Sequence, residues 1–592
     1  MQIPRSILPV FAACLLFLFV SESYADLSCA HFSVRLQTRS SYRSDIPVLV
    51  RVEVIDESGR IERGLWDATA MLFVNDPNVA FAPAEIQLYN GLGSALVTFG
   101  GARDFVLTAE VAGLQASRSF DNIDDQPIVE APPILTGDHT VWSDTIRVRE
   151  DLIVPSGHAL SVEPGTMILL DGVDNGTNGT DIDIQGSLQS LGTAEQPVTF
   201  TAFRAGENWG ELHFDDAEPS VLRYTNITRA GHSPKIGHSN SGPALRVSGT
   251  TLVFQNVNCS DNAGKVMHAT SDSDLTFVRC LLARSVMGPE ISATALLFEN
   301  SWIIGMSAKD DADGIYVHSQ KQNQICMMQG GVAADIVDDG IDLLGADITI
   351  RNFTVRDCDD KGISAFNGNT TITNCLVVNN NRAPEDPTVA SIAAKAREGV
   401  TTTVTMDRTT VVTTRTPGVV DHGIQSHEKY GYTTGAIIWH VTNCIIDATD
   451  PIDTEFPYLD SDVHVSHSNV FGESRPGTGN INADPLFVDP SSDNYRLKSQ
   501  AGHWSPLDRA WIADEVTSLC IDAGDPASPI GDEPFPNGGL VNMGFYAATA
   551  EASKSWFDKP VCEIVVAGDI NGDCVVDVRD FALMSLHWLR RR

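Results

Sequence analysis

Short alternating β segments recur roughly every 22 to 31 residues between about 137 and 500, with Asn, Gly and Asp turns between them. Segments beginning at Leu252, Leu275, Leu296, Ile348 and Thr370 align without gaps of any size. Each has an alternating strand, an Asn or Cys near its end, a second short strand and a polar turn. A helical period is absent from this stretch. One such coil cannot bury its own apolar face, whereas stacked coils bury a continuous one.

This pattern predicts an all-β chain dominated by a right-handed parallel β-helix over 137–500. Residues 501–560, with SLCIDAGDP and GLVNMGFYAAT, follow as a C-terminal cap, because the last coil would otherwise leave an open strand edge. Together with NADPLFVDPSSDNYRLKSQ just before them, they resemble the closing segment of secreted bacterial β-helix proteins. Residues 26–125 alternate apolar and polar positions between turns spaced about ten residues apart, which predicts a β-sandwich. The runs NGLGSALVTF and FVLTAEVAG resemble bacterial immunoglobulin-like domains, which implies a spacer or a carbohydrate- or partner-binding module. Residues 126–136, rich in Pro and acids, read as a linker.

The first 25 residues carry Arg5, an apolar run from Ile7 to Val20 and small residues before Ala25. This is the layout of a signal peptide cleaved after Ala25, and the apolar run is short for a membrane span. The expected location is therefore outside the cell, secreted or at the cell surface, with no membrane span. A net charge of −37 excludes nucleic acid and anionic lipid as natural partners, since both need clustered Lys and Arg. The scattered cysteines form no zinc-type pair; single buried thiols are expected in the coils, and Cys562 and Cys574 are near enough in sequence to pair.

Residues 561–592 contain GDINGDCVVDVRDFALMSLHWL. Counted from Asp569, oxygen donors fall at Asn571, Asp573, Val575 (through its carbonyl), Asp577 and Asp580, a spacing suited to calcium. The stretch resembles one type I dockerin repeat, a family that carries two. The resemblance implies a cohesin-type scaffold partner, with Val578, Arg579, Leu586 and His587 at the recognition positions.

Five turns within the coils align on Ile315, Ile341, Ile363, Ile392 and Ile424, taken as inward-facing. Two positions earlier stand Asp313, Asp339, Lys361, Ala390 and His422. One position later stand Tyr316, Asp342, Ser364, Ala393 and Gln425, and two beyond those His318, Leu344, Phe366, Lys395 and His427. Coils about 4.8 Å apart would bring Asp313, Asp338, Asp339, Asp342 and Asp360 into one patch around Lys361. Crowded carboxylates need a compensating cation, and hard oxygen donors select Ca2+. A lysine beside a bound dication would have its pKa lowered, which suits a general base.

The string DDGID resembles the calcium-binding stretch of parallel β-helix pectate lyases. The resemblance implies β-elimination on an acidic polysaccharide, a uronic acid polymer. Lys361 is then the first candidate base and Lys395 the second, His422 or His427 the acid, and Tyr316, His318, Phe366 and His427 substrate-binding. Two other readings stay open. One is a noncatalytic carbohydrate-binding or surface-structural protein, in which the Asp-Gly pairs only turn the chain. The other is a glycoside hydrolase using Asp339 and Asp360 as acid and base. Asn352, Asn374 and Asn443 are expected in internal ladders.

Overall fold

A computed structural model describes residues 31–173, 178–308, 311–383, 390–413, 421–429, 434–455, 458–558, 568 and 576–588. The expected signal peptide lies outside them. Among the described residues the chain is almost entirely β, and its centre is a solenoid of three long parallel sheets.

Each coil contributes one short strand to each sheet in a fixed order. The back sheet runs from Val129–Glu130 to Asn469–Phe471, the front sheet from Leu152–Val154 to Asp450–Asp453, and the side sheet from His139–Trp142 to Leu459–Ser466. The alternating strands turn one set of side chains inward, where identical types stack coil on coil. Ile315, Ile341, Ile363, Ile392 and Ile424 are successive partners in register in the front sheet, as aligned from sequence. In the side sheet Phe254 stacks on Phe277 at 4.6 Å between ring centres.

The corner from side sheet to back sheet is made by one left-handed residue per coil. Asn256, Arg279, Asn300, Asn352, Asn374, Arg408 and Asn443 hold it, with φ between 46° and 56°. Asn tolerates this conformation better than other side chains because it bonds locally. Asn352, Asn374 and Asn443 are therefore corner residues, not members of an internal ladder. Asn374 donates from Nδ2 to the carbonyls of Phe545 and Ala547. A buried ladder does exist elsewhere: Asn258 Nδ2 donates to Asn226 Oδ1 at 2.7 Å. Cys259, Cys280, Cys326, Cys358, Cys375, Cys444 and Cys520 are buried free thiols, and burial pushes that of Cys280 up to about 11.

The N-terminal module is a mainly antiparallel β unit whose strands, from Phe32–Gln37 to Leu114–Asn122, join in one hydrogen-bonded path. Tyr42, Phe99, Phe105 and Phe120 fill its centre. It is clamped onto the back sheet. Arg51 is fully buried, bonds Glu53 at 2.7 Å, and donates to Asn258 Oδ1 at 2.9 Å and the Arg279 carbonyl at 3.2 Å. Arg356, reaching the other way, bonds Asp67, Asn90 and the Trp66 carbonyl. Leu92 packs among Leu281, Trp302 and Val332. Val129–Glu130, inside the expected linker, is the first back-sheet strand.

The solenoid ends earlier than 500. Ile481 pairs in parallel with Asn469, continuing the last edge. From Phe487 the chain turns along the flank, packing Phe487, Tyr495, Leu497 and Met543 over Leu376, Val378, Val412 and Ile445. It meets the N-terminal module where Tyr495 faces Trp66 at 5.9 Å. The back sheet is thus covered by the N-terminal module and the segment 487–558.

Candidate functional site

The front sheet carries an outward column that runs Arg246, His268, Glu290, Tyr316, Asp342, Ser364 in direct register. The turns entering its strands place Asp313, Asp338, Asp339, Asp360 and Lys361 beside that column. One carboxylate oxygen from each of Asp313, Asp338 and Asp339 lies within 4.8 Å of the other two. Asp342 and Asp360 raise the negative field there further.

Burial and mutual repulsion raise the pKa of Asp313, Asp338, Asp342 and Asp360. Asp313 is pushed well up by burial, then by Asp342, Asp338 and Asp339. Asp338 is pushed to about 7 by burial and then Asp339, and Asp342 rises for the same two reasons. Asp360 rises to about 6, by burial and then Asp339, although Lys361 opposes. Asp360 Oδ1 is buried without a hydrogen-bond partner. An all-oxygen, anionic, partly orphaned donor set fits calcium.

Lys361 is buried and bonds two of these carboxylates. Its Nζ lies 3.1 Å from Asp339 Oδ1 and also pairs with Asp360 Oδ2, while its amide donates to Asp339 Oδ1. Burial works against its charge, but Asp339 and Asp360 outweigh that and raise its pKa. The direction is opposite to that expected for a base next to a bound dication. Lys395 lies two coils beyond Leu344, in register with Phe366 and His427. It acts electrostatically on Asp342 and Asp360, yet among the described residues no ion pair holds its ammonium.

The other expected residues divide. His422 is separated from Lys361 by the coil of Ala390 and leans on Asp450 at 3.3 Å and Asp453 at 3.5 Å. Phe366 lies under Arg397 and Lys429. Tyr316 is only 3% exposed, covered by His238 and stacked on His318. Sequence alignment did not single out Lys265, Glu290, His238 and Asp311, which form a second polar cluster on the N-terminal side. No periodic signal marks them, because His238 belongs to a long insertion between a back and a front strand. Arg397 and Lys429 were missed as well; with Lys361 and Lys395 they gather positive charge on the C-terminal side.

Of the residues expected to form a C-terminal calcium loop, Asp569, Asn571, Asp573 and Val575 lie outside the described residues. Asp577 and Asp580 open the helix Val578–Trp588: the Asp577 amide donates to Asp580 Oδ2 at 2.8 Å, a capping contact. Val578 and Phe581 on that helix are 80% and 66% exposed.

A family described as disaggregatase related matches residues 464–524, which span the last side and back strands and the start of the flanking segment. No curated protein matches the chain. Among solved structures, the crystal structure of the pectate lyase Pel9A is similar at 13% identity over 66% of this chain and 88% of that one, with a TM-score of 0.27.

Proposed function

We propose that this is an exported, calcium-binding β-helix protein that cleaves a uronic acid polymer by β-elimination. The observation that carries the reading is the juxtaposition, on the front sheet, of three carboxylates within 4.8 Å and basic groups on the following coils. Asp313, Asp338, Asp339 and Asp342 would hold calcium, with Asp360 at its edge. Bound calcium would neutralise the substrate carboxylate and so acidify the proton on the adjacent C5.

Lys361 is the positioning residue in this reading. It keeps Asp339 and Asp360 together on one ammonium, and that engagement removes it from proton transfer. Lys395 is the base that takes the C5 proton. The C5–H electron pair forms the C4=C5 double bond, the C4–O bond breaks, and the leaving oxygen is protonated by His427 or water. Arg397 and Lys429 would meet further carboxylates of the polymer. The hydrolase alternative is weaker, since Asp339 and Asp360 are both engaged by Lys361.

We read the N-terminal unit as an immunoglobulin-like module acting as a brace. The C-terminal repeat would bind calcium through Asp569, Asn571, Asp573, Val575, Asp577 and Asp580, and its exposed Val578 and Phe581 suit a cohesin-type partner.

Incubation with a panel of polyuronates and calcium tests the function. Ultraviolet absorbance from the unsaturated product should rise, and chelator should stop it. A flat trace across galacturonate, guluronate, mannuronate and glucuronate polymers would leave a structural or carbohydrate-binding protein instead.

A further inference from the structure

The outward column of the front sheet should be exposed along its whole length. At its N-terminal end it is: the side chains of Asp183 and His213 are 38% and 30% exposed. Three and four coils beyond His213, Glu290 and Tyr316 in the same column are 2% and 3% exposed. The cover is the insertion 229–242, which leaves the back strand Thr225–Thr228 and folds over the front sheet before Pro243–Ser248 begins.

This insertion is anchored from below. Lys265, with no side-chain exposure, donates to the carbonyls of Ile236 at 2.7 Å and His238 at 2.5 Å and pairs with Glu290 at 2.5 Å. The His238 amide donates to Glu290 Oε2 at 3.0 Å. Arg246, held by Glu211 at 2.7 Å, donates to the Pro234 carbonyl at 2.9 Å. Gly237 sits directly on Glu290 with φ +65°, and a Cβ there would lie 2.2 Å from the carboxylate. A buried ion pair made to backbone carbonyls is costly to break, so the cover is fixed.

Its tip stands at the edge of the acidic patch. The His238 ring lies 4.3 Å from that of Tyr316, and its Nδ1 is 3.2 Å from Asp311 Oδ1, two residues before Asp313. His318 Nε2 lies 3.6 Å from Glu290 Oε1 beside it, so both imidazoles are fixed by carboxylates at the edge of the patch. A polymer running over the coil of Asp342 toward the N-terminal coils therefore meets a wall lined by the His238 and His318 imidazoles, each held by a carboxylate.

We infer that the 229–242 insertion closes the groove, and that its blind end, lined by His238 and His318, is a subsite for the terminal sugar of an oligouronate. The protein then works from chain ends. The inference rests on the uronate-cleaving reading above and adds the mode of attack.

Calorimetry with the full chain in calcium tests it, using galacturonate, guluronate, mannuronate and glucuronate oligomers from dimer upward, on Lys395→Ala protein so that ligand is not consumed. Affinity should climb with length and then level off. A long polymer should bind in proportion to its chain ends, not its mass. His238→Ala, which trims the tip and spares the anchor, and Gly237→Ala, which lifts it off Glu290, should move the plateau to longer oligomers and let one polymer carry several copies. Wild-type-like mass-proportional binding to polymer, or a plateau unmoved in both variants, would overturn the chain-end subsite alone. Absence of binding by every oligomer class would overturn the uronate reading and the subsite with it.

Discussion

The Lys361 ammonium reaches back one coil to within 3.1 Å of Asp339 Oδ1 while also pairing with Asp360 of its own turn. One buried cation thus ties two adjacent coils at the centre of the acidic patch. Removing one member of a buried ionic group leaves the others uncompensated, at about 3–5 kcal/mol. Lys361→Ala should therefore lower the denaturation midpoint markedly in chelator. A midpoint like wild type would mean that Asp339 and Asp360 find protons or solvent instead.

Lys395→Ala should behave in the opposite way. Its ammonium is in no ion pair among the described residues, so thermal stability should hardly move. Loss of a general base costs about 10²- to 10⁴-fold in rate. Retained elimination in this variant would transfer the role back to Lys361.

Calcium should stabilise the folded chain, by about 2.7 kcal/mol at a hundredfold excess over Kd. Asp313→Asn and Asp339→Asn should each abolish most of the melting shift from the solenoid. The shift is to be read in a chain shortened before residue 561, which removes the C-terminal loop. An undiminished shift in both would place the cation elsewhere.

The N-terminal module should melt together with the coils. Arg51 joins Glu53 to Asn258, 207 residues away, with no side-chain exposure. Arg51→Ala should split one calorimetric transition into two and expose residues 122–136 to protease. A single unshifted transition would show that the apolar contacts around Leu92 suffice.

Glu533 gives a pH signature in the flanking segment. It accepts the amides of Asn542 and Ala548, and burial raises its pKa from 4.5 to about 7. The folded state therefore keeps a proton that the unfolded chain releases near 4.5. Stability from this group falls as pH rises from about 4.5 to about 7, and is level above that. Glu533→Gln should flatten that part of the urea-midpoint profile; an unchanged slope would assign it to other carboxyls.

The register of the coils was legible because an inward Ile recurs from Ile315 to Ile452 and strand alternation does the rest. The same alignment correctly put Asp339 next to Lys361. The Asn residues misled, because a corner and an inner ladder both place Asn at the end of a strand; only φ distinguishes them. Insertion 229–242 carries no repeat, so its position over Glu290 depends on Lys265, a lone lysine with no counterpart in neighbouring coils. The docking of Arg51 and Arg356 joins segments hundreds of residues apart, which local patterning does not encode.

The N-terminal module and the segment 487–558 both grip the back of the rod. Loops on the working side can then lengthen, shorten or be exchanged while the fastening stays intact. Single turns of the front can thus be remodelled without rebuilding the frame that carries them.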